Sequence, residues 1–208
     1  MANNTIAILG CGGMSLAIAR RLGSGRKLFL GGFSKEKLSA AHETLSNDGY
    51  SAIVCTAGLS PSAGSAQRIR EVDILGTAYA LDASLEVAKP GTSVICIANP
   101  QGPARAYGFS KRGNLLRVQA SAGAWGRVGG RVNSVSLGVI SAEAGRQEIQ
   151  GPAGKFIASS PVGRVGTPQG IVNAISFLAS SESSFITDND ILVDGGVVSS
   201  LRWDKLKA

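Results

Sequence analysis

Tyr107 and Lys111 stand four residues apart, at the mouth of a stretch that runs on through Asn114, Leu115, Leu116, Val118 and Ala120 with the spacing of a helix. Residues four apart on a helix share a face, so a phenol and an ammonium at these positions point the same way. A free tyrosine titrates near ~10 and is a poor acid or base at neutral pH. A cation held close favours the phenolate, because an opposite charge within a few ångströms stabilises the ionised form. Such a pair can pass a proton to or from a carbonyl or alcohol oxygen. The same pairing also occurs on solvated helix faces that do no chemistry, so the neighbouring elements must decide.

The first of those elements is Thr5-Ile-Ala-Ile-Leu9, a continuous apolar run that predicts a short buried strand. It leads into a glycine turn, with Gly10, Gly12, Gly13 and Met14, and then into a helical pattern from Leu16 to Leu22. Small residues let the backbone approach a pyrophosphate, and a helix N-terminus offers unpaired N–H groups and a partial positive charge. Ser15 stands in the place of the last glycine of the usual fingerprint, and a plain strand-to-helix turn is the alternative. Lys27-Leu-Phe-Leu30 is a second strand. An acidic residue after it would hold the ribose hydroxyls of NAD. Here Ser34 and Lys35 follow instead, with Arg26 and Lys27 nearby, and could meet a 2′-phosphate. NADP is therefore preferred over NAD, against the reading of a polar turn with a solvated lysine.

Further strands are expected at Ala52–Thr56, Thr92–Ile97, Arg131–Ser136 and Asp190–Val193. Helices are expected at about residues 35–45, 66–87, 107–124 and from Pro168 to Leu178, with residues 138–160 irregular. Strands alternating with helices predict an α/β fold, a doubly wound parallel Rossmann-like sheet flanked by helices. With 208 residues and 44% hydrophobic content, one domain over residues 1–208 is expected. No apolar run approaches ~18 residues, which argues against a membrane span. The start of the chain lacks the basic and apolar pattern of a signal peptide, and Cys11, Cys55 and Cys96 sit in apolar strands or their turns. A cytoplasmic protein with reduced thiols is the expectation. His42 is the only histidine, which weighs against a histidine metal site or a Ser-His-Asp triad, and no metal is expected. The net charge of +7 is spread along the chain with few aromatics between, so nucleic acid is not expected as a partner.

The order of these features resembles the short-chain dehydrogenase/reductase family over almost the whole chain. The residues that carry the resemblance are the glycine turn Gly10–Ser15, Thr56-Ala-Gly58, Val72-Asp-Ile-Leu-Gly-Thr77, Tyr107-x-x-Ser-Lys111 and Asn133-x-x-Ser-Leu-Gly138. Gly163-Arg-Val-Gly-Thr-Pro168, Phe177–Ser180, Phe185–Thr187 and Val193–Gly196 continue it to the C-terminal region. The resemblance implies hydride transfer between a nicotinamide and a small carbonyl or alcohol substrate, with Tyr107 as the acid/base. Lys111 would favour its ionised form and hold the nicotinamide ribose. Ala57 and Gly58 would line the cofactor, and Gly138 to Ile140 would pass beside the nicotinamide. A homodimer or homotetramer through the helices Asp73–Val87 and Tyr107–Ala124 is also implied.

Departures from the family pattern are specific. Asn99 stands where the family holds substrate with a serine, and Asp73 where the family has an asparagine. Leu137 replaces a proline, and Asp188 a glycine. A strand and helix are absent between Tyr50 and Ala52, which removes one edge unit and would send the third strand back past the first. These departures keep a second reading open: a cofactor- or partner-binding protein on the same scaffold without turnover.

Overall fold

A computed structural model describes residues 5–9, 13–31, 52–55, 65–98, 105–141 and 154–207, with isolated positions at 36, 39–41, 43 and 149. Among them, six parallel strands form two three-stranded ladders. The first joins β1 (Thr5–Leu9), β2 (Lys27–Gly31) and β3 (Ala52–Cys55) in that order. The second joins β4 (Ser93–Ala98), β5 (Arg131–Leu137) and β6 (Asp190–Val193). The strands fall where the alternation of apolar runs and turns predicts them, and the parallel α/β class is as expected.

The routing differs from expectation at β3. Phe29 pairs with Ile53 and Gly31 with Cys55, so β3 lies on the outer side of β2 and not back past β1. Successive crossovers that move in one direction across a sheet place their helices on the same face when both are right-handed. That is what the core shows. Ile18 and Ala19 of α1 (Gly13–Leu22) and Ala41 from the next helical stretch bury in one cluster with Ile8, Leu28 and Leu30. The alternate residues of β1 are left uncovered, with Leu9 49% exposed. Among the described residues no hydrogen-bonded ladder joins β1 to β4.

Among the described residues, side chains connect the two ladders. Helix α6 (Pro168–Ala179) buries Ile171, Val172, Ile175 and Leu178 in the same cluster that holds Ile8 and Leu30 of the first ladder and Val135 of the second. The helix begins as its sequence dictates: Thr167 Oγ1 accepts from the Gly170 N–H, and Pro168 occupies the first turn, where a missing N–H costs nothing. The opposite face of the second ladder carries α3 (Gly76–Glu86) and α4 (Arg105–Arg127), with Leu81, Val118, Trp125 and Val132 buried between. Strand period explains the division. In β4, Ile95 and Ile97 face the α6 side, and Val94 and Cys96 face the α4 side.

Three elements depart from the sequence reading in detail. The helix expected over residues 66–87 is α2 (Ala66–Arg70), a π-helical turn (Glu71–Leu75) and then α3. A short helix, α5 (Gly154–Ala158), lies inside the stretch expected to be irregular. A terminal helix, α7 (Val197–Lys207), was not expected, although Asp194 caps it by accepting from the N–H groups of Gly196 and Val198. An Asp-Gly-Gly step before paired valines was the available signal.

Asp188 has φ +63°, the left-handed region, and is the non-glycine residue in that region among those described. Its N–H donates to Val132 O, which fixes the turn into β6. Aspartate tolerates this conformation better than a β-branched residue does. Asp188→Val is expected to destabilise by about 1–2 kcal/mol and Asp188→Gly to be neutral or stabilising, read as the shift in urea midpoint at constant m.

Candidate active site

The described residues place Tyr107 and Lys111 one turn apart in the first part of α4, a single uninterrupted helix longer than its sequence pattern predicts. The helix follows β4 in the chain, and it is outside the carboxyl ends of parallel strands that open α/β sheets bind ligands. Lys111 is mostly buried. Its Nζ lies 3.4 Å from Asp73 Oδ2, with side-chain exposures of 14% and 0%. Asp73 belongs to the π-helical turn and is buried there. Thr77 Oγ1 donates to the Asp73 carbonyl at 2.6 Å and secures the exit from that turn. The sequence singled out Asp73 and Lys111 separately. Only the fold brings them together.

Cys96 reports on the same electrostatics. Burial pushes its thiol up to about 11, and the Lys111 ammonium acts in the opposite sense. Strand β4 thus feels the charge of Lys111. Ser110, on the buried side of α4, is fully enclosed beside it.

The other candidate residues fall at the ends of other strands. Gly13 opens α1, and a Cβ built there meets none of the described residues within 4 Å. Met14 packs against the core cluster through its side chain, which leaves only its backbone for a cofactor. Gly138 follows β5, where a Cβ would come within 2.6 Å of the Asp194 Cα. Its smallness thus serves the packing of β5 on the turn after β6. Ile140 buries its side chain in the core and bridges to Gly166, with Ser141 N–H donating to Gly166 O and Gly166 N–H donating to Val139 O. In a parallel bridge of this kind the N–H and C=O of Ile140 itself point away from Gly166. A cleft of about 170 Å³ lies beside this segment, lined by Val139, Ile140, Val162, Arg164 and Thr167 among others. Gly10, Gly12, Ser34, Lys35, Ala57, Gly58 and Asn99 lie outside the described residues, as does the side chain of Tyr107.

Sequence reasoning missed the clamp that holds the far end of the second ladder. Arg131 donates to three carbonyls, those of Leu178, Ser180 and Ile186, and partial burial holds its guanidinium below its usual range. Asn133, buried, donates to Ile186 O at 2.9 Å and accepts from the Asn189 N–H. Asp190 accepts from both Ser134 and Ser136 at 2.7 Å. Among the described residues no cluster of His, Cys, Asp or Glu could hold a metal, and no helix is long and apolar enough to cross a membrane.

Comparison with known proteins bears on the family and the fold. A family profile described as enoyl-(acyl carrier protein) reductase matches residues 34–198. A short-chain dehydrogenase/reductase of Alternaria brassicicola, bsc3, is 27% identical over an alignment of 274 residues that spans 98% of this chain and 99% of that protein. A 3-alpha-hydroxysteroid dehydrogenase/carbonyl reductase of Comamonas testosteroni is 33% identical over 128 residues, 60% of this chain and 49% of that one. In fold, the chain is similar to a short-chain type dehydrogenase/reductase from Mycobacterium ulcerans, with a TM-score of 0.82 over 95% of this chain and 90% of that one at 21% identity. It is also similar to a gluconate 5-dehydrogenase from Burkholderia cenocepacia in complex with NADP and tartrate, with a TM-score of 0.79 over 96% of each chain at 19% identity.

A thiol that ionises only near pH 11 is a poor nucleophile at neutral pH. Alkylation of Cys96 by iodoacetamide at pH 8, followed by peptide mass spectrometry, is expected to be at least about tenfold slower in the folded than in the urea-unfolded protein.

Proposed function

This chain belongs to the short-chain dehydrogenase/reductase family, and we propose that it transfers a hydride between NADP(H) and a small carbonyl or alcohol, with Tyr107 as the acid/base. The observation that carries the proposal is the helical spacing of Tyr107 and Lys111 at the start of α4, with the lysine drawn in beside Asp73. When bound, the nicotinamide supplies or accepts the hydride. Tyr107 gives its phenolic proton to the carbonyl oxygen in reduction and takes the alcohol proton in oxidation. Lys111 favours the ionised phenol and donates to the ribose hydroxyls. Asn99 donates from its amide to the substrate oxygen.

Several residues fit the cofactor. The open space around Gly13 suits a pyrophosphate against the N-terminus of α1, with Gly10, Gly12 and the backbone of Met14 to hold it. The backbone of Gly138 and Ile140 serves the nicotinamide end, and Ala57 and Gly58 line the adenosine side. Ser34 and Lys35 select the 2′-phosphate, which makes NADP preferred over NAD. We assign residues 1–208 to one domain and the protein to the cytoplasm, where a free thiol such as Cys96 stays reduced. A homodimer or homotetramer through α3 and α4 is supported by Leu75 at the entry to α3, Tyr79 of α3, and Phe109 and Leu116 of α4, all exposed.

A second reading, cofactor or partner binding without turnover, is favoured by one observation: the Lys111 ammonium already faces a buried carboxylate. Titration with NADPH and NADH, followed by cofactor fluorescence, separates a working cleft from an empty scaffold. Tyr107→Phe is expected to lower kcat by about 10²–10⁴-fold with cofactor affinity nearly intact; unchanged turnover would remove Tyr107 from the mechanism. Lys35→Glu is expected to erase the preference for NADPH, and an unaltered NADPH/NADH ratio would refute the 2′-phosphate assignment.

A further inference from the structure

Lys111 and Asp73 are drawn together in a place shielded from water, and at 3.4 Å they are farther apart than the roughly 2.7–2.9 Å of a strong charge-assisted hydrogen bond. The contact is chiefly Coulombic, and it acts at a lower effective dielectric than a surface pair would. Among the described residues, two further ion pairs lie on the helices around the π-helical turn. Arg68 of α2 pairs with Glu71 at 3.6 Å, and Arg117 of α4 pairs with Asp82 of α3 at 2.7 Å, both in exposed positions. Arg112 is exposed on α4. From β4 the titratable group that feels the Lys111 charge is the half-buried Cys96 thiol.

We propose that Asp73 is a positioning residue for the proton-transfer pair, holding the Lys111 ammonium against the π-helical turn and offsetting part of its charge. This rests on the assignment of Tyr107 and Lys111 made above. A carboxylate opposite the ammonium weakens the field that favours the phenolate, so the protein reaches a given phenolate population at a higher pH than it would with a neutral residue 73. Asp73 thereby sets the pH range of turnover without touching substrate.

Asp73→Asn removes the charge and keeps the shape; Asp73→Ser removes the same charge and serves should the first variant fold poorly. In either, the rising limb of the pH profile for alcohol oxidation is expected to move to lower pH by about one unit, a roughly tenfold gain in kcat/KM on that limb. A merely structural role would lower activity at every pH and leave the limb in place. An unmoved limb, or one displaced to higher pH, overturns the proposal. Reductive methylation of Lys111 with formaldehyde and cyanoborohydride, quantified by mass spectrometry, needs no turnover. It is expected to be several-fold faster in Asp73→Asn, because the amine loses its anionic partner. Equal labelling of wild type and variant overturns the anchoring whatever the activity. Absence of turnover in the wild type overturns the enzymatic assignment and with it the pH role, while the labelling still decides the ion pair.

Discussion

The burial of one helix holds the described structure together. Ile171, Val172, Ile175 and Leu178 of α6 are almost wholly enclosed, and they pack against side chains from both ladders. Each such side chain contributes about 1.5–3 kcal/mol on removal from water. Because no backbone ladder joins β1 to β4 among the described residues, this non-directional attraction does what hydrogen bonds do between neighbouring strands elsewhere. The helix must therefore be fixed at both ends. Thr167 secures its start, and Ser93 Oγ, Arg131 and Ser183 Oγ all donate to the Leu178 carbonyl at its finish. Those donors answer the orphan carbonyls that any helix leaves in its last turn.

The second ladder is organised by polar side chains in an otherwise apolar setting. Asn133 and Ser134 are buried neighbours on β5 that face opposite sides, and each has a specific partner near β6. Buried polar groups of this kind cost free energy unless matched, so each bond also fixes register. The turn at Asp188 belongs to the same arrangement, since its N–H bonds to Val132 while Thr187 Oγ1 accepts from the Val132 N–H. A rigid β4–β5–β6 unit results, with α4 laid across it carrying Tyr107 and Lys111.

At the site, geometry and electrostatics pull in two directions. Positions 107 and 111 lie one helical turn apart on α4, while the π-helical turn brings Asp73 against the lysine. The burial of Asp73 keeps water from screening its contact with the Lys111 ammonium. The surface pair of Arg117 and Asp82 shows the contrast: it is closer, at 2.7 Å, yet solvent screening leaves it little influence.

The sequence by itself determined the parallel α/β class, the helical phase of Tyr107 and Lys111, and the kinship carried by motifs from Gly10 to Gly196. Apolar runs, alternation and glycine placement are local signals, and local signals suffice for these. Tertiary structure alone decided that Ala52–Cys55 sits outside β2, that Gly138 is small because Asp194 lies against it, and that Arg131 caps α6. It also decided that Asp73 meets Lys111 across 38 positions of chain, through a π-helical turn that no periodicity announces. These depend on which surfaces meet once the chain is compact, and a contact between distant segments leaves no spacing in the sequence from which to read it.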